Sequence, residues 1–432
     1  MDSVAVALWL ACLLLLPLRA SAVETAPGPG IGFAAALELA ERSPLLRETA
    51  AGLASKRALD RQVSTLTVNP QAAVQLGYRR VSDAERGVDV QVSLQQGFNL
   101  AGYAAARAAS MQREESAQEA ELRALRLGRR LAVARAWLTL WGAEEALAAA
   151  RVEQQAMTEL LERVERAARA MALTRTDVAE ARAYLGEARL AALNIEGEVF
   201  ELGLELGRLV GQAGVEAGQL VAAGGPPEIA LPEVTPELLA QLLRRVESLP
   251  GSQLRRLQAD AERAHDAEAQ AARGTQLNVG VLGLHEPATP YALMGTLSVT
   301  LPLFERGQRE RAEILGRLGR LQGEAQEALL AQRAELLFAV HDVQHSHEQW
   351  EQLQLQVVPA SSETLALRER LLGASDGTVL EVILARRAAA AARGRLGRSL
   401  AAHSFARYRL WLYLQALGLA AGDESPPTGR QP

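Results

Sequence analysis

Two stretches of this chain alternate apolar and polar side chains and then pass straight into a pattern of helical period. In "VDVQVSLQ", Val88, Val90, Val92 and Leu94 fall on one side and Asp89, Gln91, Ser93 and Gln95 on the other, which predicts a strand Val88–Gln96 with one apolar face. Upstream, Ala72, Val74, Leu76 and Tyr78 oppose Gln71, Ala73, Gln75 and Arg79, a partner strand Gln71–Arg79 joined through the turn "SDAERG". A second pair lies further on. Leu277, Val279 and Val281 face away from Gln276, Asn278 and Gly280, with Leu282 off the pattern. Tyr291, Leu293, Leu297, Val299 and Leu301 oppose Thr296, Ser298 and Thr300.

Around these strands the spacing is helical. It predicts helices over Phe33–Leu66, Tyr103–Ala172 and Asp177–Val210, then Arg309–Leu372, broken only at Pro359, and Thr378–Gly418. An unbroken helix of about 70 residues extends about 105 Å. Helices this long and rich in Ala must pack on neighbours as coiled coils. The pair Trp137 and Trp141 shares one face and reads as packing.

The strand-to-helix passage occurs twice in register. Ser93 and Gly102 in "SLQQGFNLAGYAAARAA" have counterparts 205 positions later, Ser298 and Gly307, in "SVTLPLFERGQRERAEI". Ser43 in "ERSPLL" and Ser248 in "VESLPG" keep the same offset, and "TDVAEAR" (Asp177, Val178, Ala181, Arg182) matches "LEVILAR" (Glu381, Val382, Ala385, Arg386) at 204. The chain reads as one unit written twice: a first repeat over 23–211, a Gly- and Pro-rich linker over 212–235, a second repeat over 236–418 and a disordered tail over 419–432.

Composition narrows the class. Of 432 residues, 49% are hydrophobic but only 4% aromatic, the balance of long packed helices rather than of a compact mixed enzyme. A net charge of −5 leaves no basic field for nucleic acid. The apolar run Val4–Leu18 followed by Ala20-Ser21-Ala22 predicts a signal peptide over 1–22 and a mature start at Val23. Cys12, the single cysteine, lies inside that run with Trp9 three positions before it, which does not fit a lipoprotein site; the mature chain would carry no disulfide and no thiol chemistry.

The alternation alone fits a half-buried soluble sheet as well as a membrane strand. A soluble hairpin needs a core over its apolar face, and only diverging amphipathic helices are on offer. Strands of nine to eleven residues with one apolar face suit a transmembrane barrel, with Val88, Val90, Val92, Leu94, Leu297, Val299 and Leu301 toward lipid. Four strands cannot close, and open edges are not tolerated in lipid. Three chains would give twelve strands and an aqueous lumen. The fold expected is therefore mainly α with transmembrane β: a long α-helical coiled-coil barrel, four strands per chain and a 12-stranded barrel in a homotrimer.

On the joints "LQQGFNLAGYAAARA" and "VTLPLFERGQRERA", the Ser43-Pro44 and Ser248–Pro250 segments, and the tips "LTRTDVAEAR" and "DGTVLEVILAR", the chain resembles the TolC-like outer-membrane efflux proteins. That resemblance implies an exit duct in the outer membrane of a diderm bacterium, mostly periplasmic, coupled to a periplasmic adaptor protein and an inner-membrane transporter. Pumps of the resistance-nodulation-division class are favoured, with metal cations or small toxic molecules as cargo. Gly97, Gly102, Pro302 and Gly307 would form the strand–helix joints. Leu173, Thr174, Gly377 and Thr378 would face the adaptor, and Arg182 and Arg386 would pair with acids at the tip. Asp177, Asp376 and Glu381 would each become a ring of three carboxylates at a cation-selective constriction; helix capping is the rival role for Asp177.

A duct for type I protein secretion and a soluble periplasmic coiled-coil adaptor stand as alternatives. No catalytic constellation and no cofactor site is apparent. His341 and His345 have i, i+4 spacing that could chelate a metal, but a solvated or interhelical position is preferred, and no metal site is assigned.

Overall fold

The computed structural model describes residues 30–62, 68–80, 86–212, 218–286, 289–304, 306–374 and 376–419. The expected signal peptide, Cys12, the hairpin turn at 81–85 and nearly all of the expected tail lie outside them.

The chain opens with a short strand β1 (Gly30–Gly32) and two helices, α1 (Phe33–Glu41) and α2 (Pro44–Asp60), where the pattern predicted one helix to Leu66. Pro44 is the cause: a residue before proline is disfavoured in the α region, and Ser43 accordingly sits at φ −58°, ψ 144°. A hairpin of β2 (Gln71–Arg80) and β3 (Arg86–Asn99) leads into α3 (Tyr103–Arg169), which returns as α4 (Arg175–Val210). With 67 residues and no proline, α3 runs about 100 Å.

Part of the expected linker is built into the fold. Val221–Ala223 forms β4, which pairs in parallel with β1, and Leu220, Ala222 and Ile229 are buried. Helix α5 (Pro236–Arg244) and a 3-10 turn (Val246–Ser248) precede α6 (Pro250–Ala272), then the hairpin β5 (Gln276–Glu286) and β6 (Thr289–Thr300). Helix α7 (Gln308–Gln352) passes through a π turn (Leu353–Val357) into α8 (Val358–Gly373), and α9 (Val379–Ala416) returns. The break expected at Pro359 is this π turn. Proline cannot donate to the carbonyl four residues back, and widening the turn, with the Val358 amide bonded to Leu353 O, absorbs the mismatch.

The helices form a layer with α3 as its spine. Near the sheet α3 lies between α2 and α6, and near the tips between α4 and α9; α7 lies beside α6 and then α9. Ion pairs such as Lys56–Glu114 and Arg317–Glu262 line the sheet end. At mid-length α3 and α9 cross where a Cβ on Gly142 would stand 2.9 Å from the Cβ of Ala401, so only a bare backbone permits this approach.

On one side of the layer the β1/β4 pair, α1 and α5 form a belt. Phe33 sets its ring edge-on against Trp137 and Tyr408, with centroids 5.3 and 5.2 Å away, and the Trp137 indole donates to Ile31 O at 2.7 Å. Trp137 is fully buried here, which fits its packing role. Glu144 accepts from the Ala222 amide and so ties β4 to α3. On α5 and the turn after it, Leu242, Val246 and Leu249 are buried against Leu336, Ala339 and Val340 of α7.

Candidate functional site

The four long strands make one antiparallel sheet in the order β2-β3-β5-β6. Its register sets the chemistry of each face, because directly opposed residues point the same way. Val74 stands opposite Val92, Leu76 opposite Val90 and Tyr78 opposite Val88; Leu94 is opposite Val281, Val279 opposite Leu297, and Leu277 opposite Val299. One face is therefore apolar across all four strands, and among the described residues none covers it: Leu76 is 73% exposed, Leu297 71% and Leu293 79%. Val88, Val92, Leu94 and Val299 are also exposed, as is Leu301, which falls just past the end of β6. The opposite face carries Gln75, Gln91, Ser93, Gln95, Asn278, Thr296 and Ser298, and Leu282 sits on it between Ser93 and Met294. Among the described residues β2 and β6 are each paired on one side only.

The joints between sheet and helices have a shared geometry. Gly102 and Gly307, the residues before α3 and α7, both hold φ 76°, a left-handed backbone that glycine adopts without the Cβ penalty. Asn99 locks the first joint, accepting from the Ala101 amide at 2.8 Å and donating to Ala271 O at 2.8 Å, so the end of β3 is tied to the end of α6. At Gly97 a Cβ would meet the Val68 side chain at 2.8 Å. In the second joint Arg306 Nε donates to Pro302 O, and Arg273 pairs with Glu310 at the start of α7.

The far ends of the helices form two tips with one design. Thr174 and Asp177 make a capping box: the Thr174 amide donates to Asp177 Oδ2 at 2.7 Å and the Asp177 amide to Thr174 Oγ1 at 3.2 Å. Thr378 and Glu381 repeat it at 3.2 and 3.3 Å. Glu381, expected with Asp177 and Asp376 to line a constriction, caps its own helix and pairs with Arg368 at 3.1 Å. Asp376 is exposed in the loop. Arg182 donates to Glu165 at 3.0 Å and Arg386 to Glu369.

Between the tips Met157, Leu160, Val164, Leu185, Val379 and Ile383 bury a joint core against which Leu173 packs partly. Gly377 passes close to the backbone of α8, where a Cβ would stand 3.0 Å from Leu372 N. Met171 escaped the sequence reading; it holds φ 61° and is 94% exposed. The pairing of Arg368 with Glu381 was also missed, since the two lie on different helices. His341 and His345 are exposed on α7 with rings stacked 5.6 Å apart, and among the described residues no group of three metal-ligating side chains occurs. No described helix is long and apolar enough to cross a membrane.

The fold is that of solved outer-membrane channel proteins. In particular, the chain is similar to a membrane protein from Pseudomonas aeruginosa at 20% identity and a TM-score of 0.70, over 88% of this chain and 90% of that one. It is similar to the outer membrane protein VceC of Vibrio cholerae at 20% identity and 0.65, over 89% and 96%. The open-state MtrE outer membrane channel of Neisseria gonorrhoeae matches at 17% and 0.65, over 89% and 88%. At these identities the likeness is one of fold. No family model matches the chain, and no curated protein matches it.

Proposed function

We propose that this protein is the outer-membrane duct of a tripartite efflux system, working as a homotrimer and carrying out no reaction of its own. The observation that carries the reading is the four-stranded sheet with one uncovered apolar face and two half-paired edge strands. In water such a face and such edges invite aggregation; in lipid, three copies closed edge to edge into twelve strands satisfy both. The pairs Gly102/Gly307 and Thr174/Thr378 support an internal repeat that supplies two staves per subunit.

In this reading the tips meet a periplasmic adaptor through Leu173, Thr174, Gly377 and Thr378. An inner-membrane pump, of the resistance-nodulation-division class by preference, supplies the energy and selects metal cations or small toxic molecules. Rings of Asp177, Asp376 and Glu381 set cation preference at the closed end; since Asp177 and Glu381 also cap helices, Asp376 is the residue whose charge is most available to a lumen. The test is the native mass of the detergent-extracted mature protein taken from the outer-membrane fraction of a two-membraned bacterial host. Three chains per particle in that fraction is the expected result, and a soluble monomer would overturn the proposal.

A further inference from the structure

The layer carries its belt on one side, and the helical period identifies what faces the other. Arg135 and Thr139 are each two residues from Trp137, roughly 160–200° around α3 from the side chain that holds Ile31. On α7, Phe338 lies two residues from both Leu336 and Val340, which pack on α5. A cavity of about 400 Å³ opens on this other face between α3, α4, α7 and α9, where Arg135, Phe338, Arg398, Phe405 and Arg409 line it together with the acids Glu198 and Asp342. That volume suits a small organic molecule.

Its charges are uneven. Arg409 is only 9% exposed and pairs with Asp342 at 2.8 Å, yet among the described residues its buried Nε has no hydrogen-bond partner. Its guanidinium lies 4.8 Å from the Phe338 ring centroid and 5.7 Å from that of Phe405. Arg398 pairs with Glu198 at 2.5 Å. Arg135 lies 6.0 Å over Phe405 and has no carboxylate partner among the described residues. Three guanidinium groups thus face two carboxylates beside two phenyl rings. A positive residue of charge next to aromatic surface fits a flat organic anion, whose ring packs against the exposed Phe338 and whose carboxylate takes a charge-assisted bond from Arg135, while the buried Arg409 adds its positive charge without a direct contact.

We propose that this cup is a binding site for aromatic carboxylates. Binding itself depends only on the chain, whereas the cup's position on the lumen wall, one per subunit, rests on the duct reading above.

The test is calorimetric titration of the intact mature protein in detergent with 1-naphthoate, and with neutral 1-naphthamide as the control. Expected are one 1-naphthoate site per chain and binding of 1-naphthamide weaker by about tenfold, the factor for one charge-assisted contact. Arg135→Gln, at an exposed position that leaves the buried Arg409–Asp342 pair intact, should weaken 1-naphthoate by a similar factor without changing native mass or thermal unfolding. Phe338→Leu should weaken both probes. Equal affinity for the two probes, an unchanged affinity in Arg135→Gln, or no uptake by correctly assembled protein would each overturn the site. Charge-selective binding to a protein that proves monomeric would keep the cup and refute the duct, while a conducting trimer blind to 1-naphthoate would do the reverse.

Discussion

Single residues carry both the bends and the pH response. At Gly102 and Gly307 the φ of 76° makes any side chain costly, and at Gly307 a Cβ would also press on the Arg273 guanidinium. Gly102→Ala should lower stability by about 1–2 kcal/mol, and Gly307→Ala by at least as much, read as the urea midpoint of the extracted protein. Two desolvated groups, the half-buried Glu144 and the buried His403, pull stability in opposite directions with pH. Desolvation pushes the Glu144 carboxyl up to about 7, against the bond from the Ala222 amide, so the folded chain holds a proton that the unfolded chain has released. That contribution falls as pH rises from the ordinary 4.5 to about 7. His403 is the mirror case: burial, aided by Arg407 and His347, lowers it to about 4, so its contribution rises with pH from about 4 to 6.5. Glu144→Gln should therefore make the stability profile climb more steeply between about pH 5 and 7, and His403→Gln should flatten it, each by about 1–2 kcal/mol over the window.

At the scale of elements, the apolar face of the sheet makes the sharpest prediction. Val92→Lys or Leu297→Lys puts a charge on the face assigned to lipid, at a cost of about 2–4 kcal/mol if near mid-membrane, and should reduce the amount recovered in the outer-membrane fraction. Gln91→Lys, one position along on the polar face, should leave recovery unchanged; equal losses from both faces would argue that the sheet does not meet lipid. The four long strands and the long helices were legible in the sequence because alternation and helical period are local signals, extending over eight residues or more, whereas the three-residue β1 and β4 are too short to show either. The α1/α2 break was missed although its signal was present: Ser43 stands at the N-cap position and Pro44 at the first helical position, a start signal inside an apparently continuous pattern. What local pattern could not reveal were partners from distant sequence. Glu144 finds the Ala222 amide, Glu381 finds Arg368, and the cup is assembled from α3, α4, α7 and α9. Glu381 was read as a pore residue from its place just inside a helix, yet that place, three residues after Thr378, is also where a capping box needs it.

For the whole molecule, the two half-paired edges allow a direct check of closure. The only cysteine is Cys12, inside the expected signal peptide, so introduced cysteines report without background. A panel pairing Val74→Cys on β2 with single cysteines at Leu293, Gly295 or Leu297 on β6 should, for the aligned member, oxidise to species of two and three chains and no larger. Open-ended ladders would mean that the edges polymerise instead of closing.

The parallel clasp of β1 on β4 has a temporal consequence. It joins Gly30 to Val221 through three residue pairs across about 190 positions of chain. So small a ladder cannot offset the loop entropy of that span alone, and it can close only after α3 and α4 have brought its two ends together. The clasp is thus expected to close late, after the helices that lie between its two strands have packed. A protease cutting beside Gly30 would distinguish finished subunits from those still being built.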